Sequence, residues 1–306
     1  MAGDADTTIK AKTVPEALHH SKRVLWLAAH PDDETSSSAL LARAKDVSGA
    51  LFMASLTSGE NSDELWSGLR RGTAMGKARE ALFAQSAALF RADGYDVGPF
   101  TNGPHSLADL DAMPSQAPFR DWAAAATSDD VIAKWNREGD PVGYIIELLR
   151  KWRPHTVISM DDHCGVSGQD EHIAVAKLLL RAIPLAAHPD AYPREGQPWR
   201  VQHVIFSAAV IPELIACRYC KCEGRASAAP SEEVVSLEPS EIHKMTYFRV
   251  ECLVSKNYQN AMESKGWTDS QIQTGCRQAE SGAMRAYQNG QRGQSFSQSF
   301  RIRPLN

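Results

Sequence analysis

The sequence predicts an α/β fold. Helices cover both faces of a mostly parallel central sheet, giving three layers, and a mainly helical C-terminal appendage follows. Two observations carry this expectation. Short apolar runs alternate with helical patterns through the first two thirds of the 306 residues, as parallel strands joined by crossover helices require. Three separated polar segments, 30–34, 58–60 and 161–172, each follow one of those runs directly. In parallel sheets ligands bind beyond the carboxyl ends of the strands, so the three segments converge on one edge.

The elements follow in order. Val24-Leu25-Trp26-Leu27-Ala28 reads as a buried strand, and a short helix covers 39–44. A second buried strand spans 50–56 and ends at Thr57-Ser58-Gly59-Glu60, and a helix over 76–91 keeps Ala81, Leu82, Gln85 and Leu89 at helical spacing. Residues 94–121 are rich in Pro, Gly, Asn and Ser and read as one long irregular excursion. Helical pattern returns at 130–136 and 142–152. Pro154 punctuates, 155–160 is a strand, 169–182 a helix, and 201–209 a further strand. The last quarter reads as helices at 244–264 and 268–286, then a Gln-, Gly- and Ser-rich loop or tail over 288–299. No repeat and no clean linker is visible. The expected organisation is an N-terminal extension (1–22), a core (23–210) and a C-terminal extension (211–306) packed on that core.

Composition narrows the function classes. The chain is 43% hydrophobic and 23% charged, ordinary for a globular protein. With 33 basic against 37 acidic side chains the net charge is -4, which gives no electrostatic reason to expect nucleic acid as a partner. No apolar run approaches a transmembrane length, and residues 1–23 contain no apolar signal core. A cytoplasmic location is therefore expected. The six cysteines are then expected to be free thiols. Cys217-x-x-Cys220-x-Cys222 could hold a structural metal, but no second pair stands at finger-like spacing.

Ala29-His30-Pro31-Asp32-Asp33-Glu34 is the most informative stretch. An imidazole and three acids at the end of a buried strand are polar groups that are costly to leave unpaired. His and Asp are good zinc ligands, and an adjacent second acid can act as a base. The plainer alternative is a helix start at which Asp32 or Asp33 is only a cap. A third ligand must come from elsewhere. The turn after the strand at 155–160 carries Asp161, Asp162, His163, Cys164 and His172, and His172 at a helix opening can point toward His30. Two histidines and a carboxylate leave an open position for water, as in catalytic zinc sites.

These residues resemble a known family. The stretch from Ala29 to Glu34 is similar to the signature of the PIG-L (LmbE-like) deacetylases. Leu56-Thr57-Ser58-Gly59-Glu60, Lys77-Ala78-Arg79-Glu80, Arg153-Pro154-His155-Thr156-Val157 and the segment 168–172 resemble its later motifs, in order, over about residues 24–185. The resemblance implies a Rossmann-like fold and a zinc-dependent hydrolase, with one Zn2+ per chain, that removes an N-acyl group, most often acetyl, from an amino sugar or sugar conjugate. It makes His30, Asp33 and His172 the zinc ligands, Asp32 the general base, and Glu34 a supporting residue. Glu60, Lys77, Arg79, His163 and Glu171 become candidates for supporting the site or binding substrate. The sequence departs from the family at Gln169, where a histidine is usual; glutamine can donate a hydrogen bond to an oxyanion but cannot shuttle a proton. Ser36-Ser37-Ser38-Ala39 replaces a glycine pair, and Lys77 stands where arginine is usual.

Two other readings compete. His30-x-Asp32 with a distant His172 also spells the triad of Fe(II) oxygenases, although the alternating strand and helix pattern argues against their scaffold. A non-catalytic metal-binding module is the other, encouraged by Gln169. Trp66, Tyr95, Phe100 and Trp122 are candidate platforms for a sugar ring, and core packing accounts for each equally well.

Overall fold

The structure is a computed structural model describing residues 11–62, 68–114, 127–207, 232–291, 297–303 and 305. Trp66, Trp122, Cys217, Cys220 and Cys222 lie outside the described residues. Helix α1 (Val14–His19) precedes strand β1 (Arg23–Ala28). A 3-10 turn (Asp33–Ser37) then leads into α2 (Ser38–Ser48), β2 (Ala50–Thr57), α3 (Thr73–Leu89) and β3 (Gly94–Phe100). Next come α4 (Leu107–Ala112), α5 (Ser128–Glu138), α6 (Pro141–Trp152), β4 (Thr156–Met160), α7 (Asp170–Ala187) and β5 (His203–Ser207). The C-terminal region supplies β6 (Glu232–Val235), the short pair β7 (Pro239–Ser240) and β8 (Met245–Thr246), helices α8 (Tyr247–Met262) and α9 (Asp269–Gln288), and β9 (Ser297–Arg303).

The central sheet runs β3-β2-β1-β4-β5-β9-β6. Its first five strands are parallel and β9 is antiparallel to both of its neighbours. Alternation along β1 sets the two layers around it. Val24, Trp26 and Ala28 face a core shared with α2, α3 and α8, whereas Leu25 and Leu27 face a core shared with α5, α6 and α7. A strand buried on both faces reads as one unbroken apolar run, which makes it visible without periodicity. The α/β expectation holds. The chain leaves β1 toward β2 on one side and later returns to β4 on the other, so a crevice opens at the carboxyl ends of β1 and β4.

Two sequence expectations need correction. The excursion at 94–121 begins with an edge strand, β3, whose Gly94, Gly98 and Pro99 conceal it; proline is tolerated there because an edge strand has a free side. Gly98 is required by close approach, since a Cβ would lie 2.6 Å from the Leu56 carbonyl oxygen. The tail over 288–299 gives way to β9, where Phe300 packs in the core and Arg301 and Arg303 alternate with it. The C-terminal region is therefore helical but also extends the central sheet.

The free-thiol expectation fails as well for the three described cysteines. Cys252 on α8 and Cys276 on α9 form a disulfide, and Cys164 is also disulfide-bonded. Cys252 and Cys276 are 24 residues apart, and only the packing of α8 on α9 brings them together, so no local spacing announces the pair.

Glu251 on α8 gives the fold a pH signature. Burial pushes its carboxyl from 4.5 up to about 7, partly opposed by a hydrogen bond from the Gln298 side chain. A raised carboxyl favours the protonated folded state. Its stabilisation is full below about 4.5 and is lost as pH rises toward about 7. Glu251→Gln is expected to flatten that fall and to raise Tm at pH 8 by roughly 2–4 °C. An unchanged curve of Tm against pH would show that Glu251 does not titrate there.

Candidate metal centre

The turn after β1 is built around Asp33. Its Oδ2 accepts the backbone N–H of Ala29 at 3.1 Å and of His30 at 2.8 Å, fixing the chain as it leaves the sheet. Its other oxygen, Oδ1, lies 3.0 Å from His172 Nε2. His30 Nδ1 stands 3.1 Å from the same His172 nitrogen. His30, Asp33 and His172 are all buried, and each offers one donor atom within 4.8 Å of the others. Three donors converging without an intervening side chain fit a small divalent cation, and two nitrogens with one oxygen suit zinc or a similar metal.

Each imidazole is oriented from behind. His172 opens α7, and its Nδ1 donates to the Gly165 carbonyl at 2.8 Å, which leaves Nε2 to the cluster. Gly165 has a φ of +51°, and a Cβ there would meet the His172 Cβ at 2.4 Å, so glycine lets the loop close on the ring. His30 Nε2 is 2.8 Å from the Asn102 side-chain amide. Ligation through Nδ1 would place the ring proton on Nε2, beside that side-chain amide. Asn102 is a site residue that sequence reasoning misses. Its signal is an Asn-Gly turn just after β3, masked because the strand itself reads as loop.

Charge balances within the cluster. Burial alone would raise Asp33, but His172 and His30 hold its carboxyl well below the usual range. Burial alone would lower His172, but Asp33 pushes the ring up to about 9. Asp33 and His172 thus behave as an ion pair, and a cation bound there would displace the His172 proton.

Asp32 points elsewhere. Its backbone is left-handed, with φ 104°, a conformation costly for most residues other than glycine and borne more readily by Asp and Asn. Arg79, buried on α3, holds it: Nη2 is 2.6 Å from the Asp32 carboxylate and also donates to the Pro31 carbonyl, while Nη1 donates to Ser62. Burial raises the Asp32 carboxyl above its ordinary range, with the Arg79 charge opposing that rise. Asp32 is thus beside the donor set and not part of it. The His-x-Asp triad of the oxygenase reading does not form, because Asp33 supplies the carboxylate and the scaffold is a parallel sheet. The helix-cap reading fails: the N-cap position, Asp32, makes no side-chain cap, and Asp33 Oδ2 accepts N–H groups of Ala29 and His30, which precede the turn.

The remaining candidates spread around this centre. Glu34 is fully buried beneath Asp32, and burial pushes it up to about 7 against hydrogen bonds from Ser86 and Tyr258. Glu60 is buried, with Oε2 making no hydrogen bond among the described residues, and burial raises its carboxyl. Glu171 Oε1 accepts the Gly103 N–H at 3.1 Å, tying α7 to the turn after β3. His163 sits on the 161–165 loop, where its N–H donates to Asp161. Gln169 is the exposed N-cap position of α7. Lys77 is exposed and lines an open groove of about 580 Å³ with Glu80 and Tyr95, along α3 and β3 and apart from the donor set. Phe100 is core; Tyr95 is half exposed.

Fold and site define a doubly wound α/β protein with a buried bis-imidazole and carboxylate set at the switch point of its sheet. Residues 25–183 match the family described as GlcNAc-PI de-N-acetylase, PIG-L, and the chain belongs to that family. A 1D-myo-inositol 2-acetamido-2-deoxy-alpha-D-glucopyranoside deacetylase of Geodermatophilus obscurus is 30% identical over 190 residues, 60% of each chain. The chain therefore aligns with under two thirds of that relative's length. Among solved structures, an N,N'-diacetylchitobiose deacetylase of Pyrococcus horikoshii superposes with TM-score 0.55 at 14% identity, over 95% of this chain and 87% of that one. The same fold carries a 4-carboxy-2-hydroxymuconate hydratase of Pseudomonas putida (TM-score 0.50, 15% identity, 93% and 97% coverage). Fold alone therefore does not choose the reaction.

Proposed function

We propose that this chain is a metal-dependent hydrolase that removes the acetyl group from an N-acetylated amino sugar or sugar conjugate. The observation that carries the reading is the buried His30-Asp33-His172 set with Asp32 held beside it, in a chain of this family. The sugar class rests on the names of the relatives. A divalent ion held by those three residues, one Zn2+ per chain in this reading, supplies Lewis acidity to the amide carbonyl and acidifies water.

The chain's own residues do the rest. The Asp32 carboxylate takes a proton from the attacking water as its oxygen bonds to the carbonyl carbon. It then returns that proton to the nitrogen as the C–N bond breaks, so the products are acetate and a free amine. Arg79 aims Asp32 and favours its ionised form. Gln169 has its side-chain amide available to donate to the oxygen that becomes negative. The free Glu60 oxygen suits a sugar hydroxyl, which would satisfy it.

Location is part of the proposal. Among the described residues no helix is long and apolar enough to cross a membrane. Disulfide-bonded cysteines favour an oxidising compartment over the cytoplasm expected from the sequence.

A panel of N-acetylated sugars, glycolipids and glycoconjugates, read out by free amine, tests the reaction. Gln169→Ala is expected to lower kcat on the best substrate by roughly ten- to a thousandfold with metal retained, the range for one oxyanion donor. An unchanged kcat would remove Gln169 from the mechanism. An inactive wild type rescued by Gln169→His would favour a degenerate site.

A further inference from the structure

The family match ends at residue 183, yet two buried side chains from beyond it reach the metal turns. Tyr258 on α8 donates its hydroxyl to Glu34 Oε1 at 2.7 Å. Glu34 Oε2 in turn accepts the backbone N–H of Asp32 at 3.0 Å, so this bond helps hold the left-handed turn at Asp32. On the other side of the crevice, Arg301 on β9 lies 3.2 Å from Asp161 Oδ2, an ion pair outside hydrogen-bond geometry. Asp161 Oδ1 gathers the N–H groups of His163, Cys164 and Gly165 at 3.0, 2.7 and 2.9 Å. That gathering sets the Gly165 carbonyl, which fixes the His172 ring.

We propose that the C-terminal region is a working part of the metal centre: Tyr258 positions Asp32 through Glu34, and Arg301 positions His172 through Asp161. The proposal rests on the reading of Asp32 as base and His172 as ligand. Its logic is that of outer-shell support. A ligand or base held by a chain of buried hydrogen-bonded or ion-paired groups stays in one orientation, and loss of such a partner typically costs ten- to a hundredfold in metal affinity or activity. The register supports it. Arg301 is placed opposite Phe206 near the carboxyl end of β5, the strand next to β4, so the antiparallel β9 brings its guanidinium to the loop that follows β4. Tyr258 is equally constrained, being only 6% exposed on a helix that packs against α2 and the turn at 33–37.

The two limbs make different predictions, which a general loss of stability would not reproduce. Tyr258→Phe keeps the ring and removes the hydroxyl. Its zinc affinity, measured by competition with a chromophoric chelator, is expected to stay within about twofold, with KM unchanged and kcat about tenfold lower. Amide hydrogen exchange at Asp32 is expected to speed up at least about tenfold while the amides of β1 keep their protection. Arg301→Met is expected to weaken zinc binding about tenfold or more, and Arg301→Lys to recover part of it. Where Arg301→Met cannot be purified, Asp161→Asn carries the same test. The exchange and affinity measurements need no substrate, so they remain decisive if the deacetylase reading fails. Wild-type zinc affinity in the Arg301 and Asp161 variants, or unchanged Asp32 exchange in Tyr258→Phe, would overturn the corresponding limb. A uniform fall in Tm with neither local effect would overturn the proposal.

Discussion

Asp32→Asn is expected to leave the metal content of the purified protein near normal and to lower turnover by roughly two orders of magnitude or more, as loss of a general base should. The geometry separates it from its neighbour. Asp32 lies outside the donor set and is gripped by Arg79 at 2.6 Å. Asparagine is nearly isosteric and keeps the left-handed backbone at low cost, since it visits that region more readily than most residues. The substitution therefore removes the basic oxygen and the charge that faces Arg79, while the turn and the metal-ligand donors stay in place. Elemental analysis and kcat on the same preparation check both halves.

Asp33→Asn, His30→Ala and His172→Ala are expected to show the opposite pattern, with metal lost from the purified protein. The fall in affinity should exceed the ten- to hundredfold that loss of a supporting hydrogen bond costs. Asp33 carries a double load, because one oxygen anchors the Ala29 and His30 amides while the other faces His172. An asparagine in its place would keep one acceptor but lose the charge that balances two imidazoles. Full metal retention in any of the three would remove that residue from the ligand set. If the Asp32 and Asp33 phenotypes are exchanged, base and ligand are reversed.

Much of this is legible in the sequence, for identifiable reasons. Strands buried on both faces, such as β1 and β4, announce themselves as apolar runs, and the polar residues that follow them fall at the switch point by topology. His30, Asp33 and His172 are readable for that reason, together with the family resemblance. What stays hidden depends on long-range packing. Asn102 follows an edge strand whose glycines and proline look like loop. Tyr258 sits on an ordinary amphipathic helix, and nothing local marks it as the partner of Glu34. Arg301 lies in a segment whose Gln and Ser content masks a short alternation. The Cys252–Cys276 bond likewise exists only because α8 and α9 pack together.

The central claim is that a metal held by His30, Asp33 and His172 is needed to release an amine from an N-acetylated sugar. The most direct measurement strips the protein with a chelator, confirms by elemental analysis that it is metal-free, and then titrates Zn2+ while following free amine. The account predicts no release at the start and a rate that rises with bound zinc to saturation at about one equivalent per chain. Release at the full rate from the metal-free protein would contradict it.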